Sequence, residues 1–129
     1  MRPLSPSSSL ILAVIAAAAL PTRAEAFTVR FSWAGIPACQ AVSPAFELRD
    51  VPPGTKRLSF AMTDLDVPTF HHGGATISYT DDAVPRGAIR YVGPCPPGGQ
   101  RHRYRWTVQA LDATGRILGT ATATETFPP

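Results

Sequence analysis

Gly93-Pro94-Cys95-Pro96-Pro97-Gly98-Gly99-Gln100-Arg101-His102-Arg103-Tyr104-Arg105-Trp106-Thr107-Val108-Gln109-Ala110-Leu111-Asp112 begins as a loop and ends as a strand. Prolines at 94, 96 and 97 remove backbone donors, and glycines at 93, 98 and 99 permit backbone shapes closed to other residues, so neither helix nor interior strand fits there. From His102 the pattern changes. His102, Tyr104, Trp106, Val108 and Ala110 share one side of an extended chain, while Arg101, Arg103, Arg105, Thr107 and Gln109 share the other. One face is apolar and the other is wet. His102 and Tyr104 therefore lie on the core-facing parity at the mouth of a strand, directly after a stiff loop, where a pocket can be built.

Working outward, period-two alternation recurs along most of the chain. Phe27, Val29, Phe31 and Trp33 alternate with Thr28, Arg30 and Ser32, and Leu58, Phe60 and Met62 alternate with Ser59, Ala61 and Thr63. Extending the second run puts Asp64 and then Asp66 on the apolar side. A carboxylate is costly to bury alone, so that register implies a strand end or a site. Ser43 to Leu48 reads as a short edge strand led by Pro44, and Ala75, Ile77 and Tyr79 mark another strand after the Phe70-His71-His72-Gly73-Gly74 step. Asp81 to Gly87 reads as a polar connection, Ile89 to Val92 as a short strand, and Ile117 to Phe127 as the strand that completes the sheet. No stretch after residue 26 has helical periodicity. The expectation is an all-β antiparallel sandwich with little or no helix.

The N-terminus speaks to compartment. Arg2, the apolar run Leu10 to Leu20 and the small-x-small Ala24-Glu25-Ala26 have the form of a signal peptide cleaved after residue 26, leaving a single domain over 27–129. The run is shorter than the ~20 apolar residues a membrane span needs, so no transmembrane segment is expected in the mature chain. The expected location is periplasmic or secreted. After cleavage ten basic and eight acidic side chains remain, with Lys56 the one lysine. That balance does not suit a nucleic-acid partner. Cys39 and Cys95, in an oxidising compartment, are expected to pair. Closure of that loop is worth roughly 4 kcal/mol on chain-entropy grounds. Two buried thiols are the competing reading, and metal ligation by the pair lacks the usual CxxC spacing.

Several of these segments, taken in order, resemble one family. Asp64-x-Asp66-x-Pro68, Phe70-His71-His72, Gly93-Pro94-Cys95-Pro96-Pro97, His102-Arg103-Tyr104-x-Trp106 and Ala110-Leu111-Asp112 look like the phosphatidylethanolamine-binding proteins, especially their bacterial Raf-kinase-inhibitor-like branch. Ser43 to Leu48 and Val51-Pro52-x-Gly54-Thr55 fit the same branch. The resemblance implies a Greek-key-type β-sandwich with a rim pocket for a phosphate-like or carboxylate group, such as a phospholipid head group. Carried over residue by residue, the pocket falls to Asp64, His72, His102 and Tyr104, with Asp66, Pro68, Pro94 and Arg103 in support. Three departures stand out. Leu65 replaces a proline, which is expected to loosen the turn that aims Asp64. Gly73-Gly74 replaces aromatic cover after the histidine pair, and the glycine before His102 lies one residue farther away than in the family pattern. The chain is also shorter before the Gly93 loop and at its C-terminus, so a shallower pocket is expected.

Three functional classes follow from these residues. The first is an exported, non-catalytic binding protein for a small anion, needing no cofactor or metal. The second is a protein-interaction or inhibitor module with a degenerate pocket, which an exposed apolar patch around the site would favour. The third is a metal-dependent hydrolase built from Asp64, Asp66, His72 and His102, for which neither HExxH nor GxSxG is present.

Overall fold

The computed structural model describes residues 1–5, 11–20 and 26–129. Ala24 and Glu25 of the expected cleavage motif lie outside the described residues. Residues 11–20 carry no regular secondary structure and are exposed, and no described helix is long and apolar enough to cross a membrane.

Seven strands are present among the described residues: β1 (Thr28–Phe31), β2 (Phe46–Arg49), β3 (Arg57–Asp64), β4 (His71–Ser78), β5 (Ala83–Val84), β6 (His102–Leu111) and β7 (Ile117–Phe127). They form two antiparallel sheets, ordered β1-β2-β5 and β4-β3-β6-β7. The all-β expectation holds. The period-two readings of β3 and β6 also hold: Leu58, Phe60, Met62 and Asp64 are buried on one strand, and His102, Tyr104, Trp106, Val108 and Ala110 on the other. The two inner faces meet through aromatic rings. Phe46 of the small sheet packs 4.9 Å from Phe60 and 5.1 Å from Trp106 of the large one, centroid to centroid. Each such side chain, once fully buried, contributes about 1.5–3 kcal/mol. Trp33 carries the core toward one end of the sandwich, edge-on to Tyr104 and Phe127, and its indole N–H donates to the Glu125 carbonyl.

Four strand expectations are corrected. The Ser43–Leu48 segment is not an edge. β2 starts at Phe46, after Pro44, so the missing proline donor costs no ladder bond and both sides of the strand can pair. The second neighbour is β5, inside the stretch expected to be a polar connection, where Val84 pairs with Phe46 and is buried. Ile89 to Val92 is loop instead of strand. Its backbone is bound elsewhere: Ile89 N–H donates to the buried Ser43 hydroxyl and Val92 N–H to the His72 carbonyl. β4 begins at His71, four residues earlier than the alternation of Ala75, Ile77 and Tyr79 suggests, because Gly73 interrupts that alternation with a φ of +74°. β7 pairs with β6 alone and forms one edge of the large sheet, with β4 at the other.

Candidate functional site

The site lies where β3 ends and β6 begins. Asp64 and Tyr104 are register partners across these two strands, and both point inward. The register irregularity opposite Ala61 and Thr63 in β4 sets His72 inward while His71 stays exposed. Gly74 makes this close pairing possible, since a Cβ there would stand 1.7 Å from the Phe60 carbonyl oxygen. Local alternation thus supplies Asp64, His102 and Tyr104, the irregularity in β4 supplies His72, and strand pairing brings them together.

Asp64 is buried and fully engaged. Its Oδ1 accepts the backbone N–H groups of Asp66 at 2.8 Å and Val67 at 3.1 Å, and its Oδ2 accepts Nδ1–H of His102 at 2.7 Å. The carboxylate thereby closes the turn and sets the tautomer of the imidazole. His102 Nε2 lies 3.0 Å from the Gln100 side-chain oxygen. A glutamine amide can turn either its oxygen or its NH2 group toward that nitrogen, so Gln100 suits imidazole and imidazolium alike. His72 is oriented by a different partner: its Nδ1 donates to the Val92 carbonyl at 2.7 Å, and its carbonyl accepts Val92 N–H at 2.7 Å. Its Nε2 remains for a ligand. Tyr104 stands between them, edge-on to His72 at 5.5 Å and stacked on His102 at 6.3 Å. Burial first, and then the Asp64 carboxylate, push its phenol up to about 12, while a hydrogen bond from the Cys95 backbone acts the other way. Tyr104 is a neutral donor at any ordinary pH.

The loop that forms the far wall is stitched to the chain before β2. Cys39 and Cys95 are disulfide-bonded, and Cys39 N–H donates to the Pro94 carbonyl at 2.8 Å. Gly93 sits so close to Gln40 that a Cβ would stand 1.9 Å from its carbonyl oxygen. Pro94 is fully buried behind the pocket.

Asp64, His72, His102 and Tyr104 together line one cavity of about 340 Å³, completed by Val67, Phe70, Val92 and the loop from Gly93 to Pro97. The supporting residues behave differently. Asp66 lies beyond the end of β3 and is exposed, which corrects its expected core-facing parity. It accepts Arg103 N–H at 2.7 Å and Arg103 Nη2 at 3.1 Å, and these bonds hold its carboxyl below the usual range. Asp66 and Arg103 brace the turn and do not line the cavity. Pro68 lies in the same exposed turn. The expected loosening by Leu65 is offset, because its N–H donates to the Arg103 carbonyl at 2.8 Å, a bond proline cannot make. The missing aromatic cover is supplied from the other side of the histidine pair by Phe70, whose ring centroid is 4.6 Å from that of His72.

Sequence reasoning missed Gln100, Phe70 and Val92 as parts of the site. The extra residue between Gly99 and His102 was a signal for Gln100. Nothing local marks Val92, whose role depends on pairing with His72. Among the described residues no three His, Cys, Asp or Glu side chains converge as a metal set.

The sequence model of the phosphatidylethanolamine-binding proteins matches residues 71–127. In fold, the chain is similar to a putative phosphatidylethanolamine-binding protein homologue of Chlamydia trachomatis, with a TM-score of 0.60 and 25% identity over 81% of this chain and 98% of that one. It is also similar to YbcL of E. coli, described as a new member of the mammalian family, with a TM-score of 0.57 and 20% identity over 80% of this chain and 98% of that one. The second likeness speaks to fold alone. No curated protein matches the chain.

Proposed function

We propose, from the match of residues 71–127 to the phosphatidylethanolamine-binding protein family and the likeness in fold, that the chain is an exported, non-catalytic binding protein of that family for a small anionic group. The observation that carries the reading is the convergence of Tyr104, His72 and His102 on one cavity, with Asp64 orienting an imidazole at its base. A phosphate monoester or a carboxylate would take the His72 Nε2 position and the phenol. The mouth is apolar. Val67, Phe70 and Val92 are 41%, 51% and 51% exposed and all line it, so a head group on an apolar stem, as in a phospholipid, fits better than a bare ion. No Arg or Lys lines the cavity. With Nδ1 of His72 committed to a carbonyl, Nε2 is the ring nitrogen left to meet the ligand. The disulfide supports an oxidising compartment and hence export.

The test is a titration of inorganic phosphate and O-phosphoethanolamine into the oxidised protein, following the imidazole resonances of His72 and His102 by NMR. Saturable shifts at both, tighter for the organic ester and lost in His102→Ala, are expected. Static imidazoles at millimolar ligand would refute the reading. A second reading rests on the same exposed Val67, Phe70 and Val92, which also suit the apolar patch of a protein-interaction module. In that case Phe70→Ala would abolish capture of a protein partner while His102→Ala would not.

A further inference from the structure

A larger cavity, about 480 Å³, opens on the small sheet and shares no residue with the site above. Phe31, Ile36, Pro44 and Ala45 give its lining apolar surface, and its charged groups are Arg30, Arg86 and Glu47. Three separate segments build it, and their placement is enforced. The turn carrying Arg86 is tied to the β2 approach by Gly87 N–H donating to the carbonyl of the buried Ser43 at 2.9 Å and by Ile89 N–H donating to the Ser43 hydroxyl at 3.0 Å. The Arg86 guanidinium lies over the backbone of Gly35, where a Cβ would be 3.6 Å from Nη1. Arg30 and Glu47 are register partners on β1 and β2.

Directly opposed residues of opposite charge ordinarily pair across strands. Here the ion pairs among the described residues are His102 with Asp64, Arg103 with Asp66 and Arg116 with Asp112. None involves Arg30, Arg86 or Glu47, and no side-chain hydrogen bond among the described residues does either. Two guanidiniums and one carboxylate thus line one concavity with their bonding capacity unspent, beside apolar side chains. Guanidinium recognises carboxylate through paired N–H donors, while a carboxylate accepts from an ammonium group.

We infer that this cavity is a second binding site, for a small zwitterion of the α-amino-acid class with an apolar side chain. The ligand carboxylate is held by Arg30 and Arg86, its ammonium by Glu47, and its side chain by Ile36, Pro44 and Ala45. Glu47 makes the site selective, since it repels a plain acid that brings no ammonium.

L-leucine, isocaproate and isoamylamine are the probes, since they share one apolar body and differ only in charged groups. Titrated into the oxidised protein, leucine should saturate shifts of the Ile36 and Ala45 methyl resonances while the imidazoles of His72 and His102 stay put. Arg86→Ala, an exposed change outside the core, should weaken leucine about tenfold or more. Glu47→Gln should weaken leucine by a similar factor and leave isocaproate no weaker. No saturable methyl shift with leucine, shifts confined to His72 and His102, or equal affinity for leucine and isocaproate with no effect of Glu47→Gln would each overturn the inference. Because these resonances are separate from those of the histidine pocket, failure of one site is distinguishable from failure of the other.

Discussion

Replacing Asp64 tests the architecture at its most concentrated point. The side chain is 4% exposed and accepts three hydrogen bonds, from Asp66 N–H, Val67 N–H and His102 Nδ1–H. Asp64→Ala leaves a buried imidazole donor without its partner and frees the turn. A hydrogen bond to a charged group contributes about 1.5–3 kcal/mol and a buried donor left unpaired costs about 1–3 kcal/mol, so with three bonds lost a loss of about 3–5 kcal/mol is expected. Against a total of roughly 5–15 kcal/mol for a small domain, that approaches unfolding. Asp64→Asn behaves differently. Its oxygen still accepts both turn amides, but its NH2 group faces His102 Nδ1, which must surrender its proton. The tautomer switches, and Nε2–H then donates to the Gln100 oxygen, which already lies 3.0 Å away. Every bond survives in neutral form, at a cost of about 1–2 kcal/mol. Urea unfolding of the oxidised protein measures both losses, and imidazole nitrogen shifts report the tautomer. An Asp64→Ala loss below about 1 kcal/mol would refute the reasoning. So would an Asp64→Asn protein with Nδ1 still protonated.

The remaining expectations concern the loop, the phenols and the acid limb of stability. Gly93→Ala drives a Cβ into the Gln40 carbonyl oxygen and should cost about 1–3 kcal/mol or more, whereas Gly98→Ala meets nothing within 4 Å and should be neutral, as thermal melts of the pair will show. Tyr79, Tyr91 and Tyr104 all have phenols raised from 10.0 to about 12, Tyr79 chiefly by its bond to Asp82 and the other two chiefly by burial. Because the fold favours the protonated phenol, this stabilisation is present below 10 and lost as pH climbs toward 12. Tyrosinate absorbance should therefore stay low in the native protein at a pH where the urea-unfolded chain already ionises, and coincident titration curves would contradict it. Asp66 and Asp112 have depressed carboxyls, held by Arg103 and by Thr114 with Arg116. Their contribution is present above the unfolded value of 3.8 and lost as pH falls through the lower folded values. Asp66→Asn should flatten that acid limb in stability measured against pH, and an unchanged slope would count against the Arg103 brace.

Much of this molecule is legible along single strands. The alternation of His102 to Ala110 and of Leu58 to Asp64 predicts which side chains turn inward, because the side-chain period of a strand is two and a buried face needs apolar partners. The same rule carried past Asp64 fails at Asp66, since the strand has ended and the Asp64 side chain now caps a turn. Edge and centre are not visible in this way. Whether β2 has one neighbour or two depends on Val84, a residue thirty-eight positions from Phe46, and a two-residue strand leaves no periodic trace.

By itself, the sequence determined the all-β class, the inward parity that carries Asp64, His102 and Tyr104, and the chemistry of the pair Cys39 and Cys95, because each is a property of neighbouring residues or of composition. Only the tertiary structure decided which nitrogen of each imidazole is committed, that Gln100 covers His102, that Phe70 covers His72, and that Arg30, Arg86 and Glu47 share one concavity. Those relations join residues from different strands and loops through hydrogen-bond distances of about 3 Å. Local propensity does not encode such distances. They follow from sheet register and from the contacts that stitch the Gly93 loop to Cys39 and Gln40.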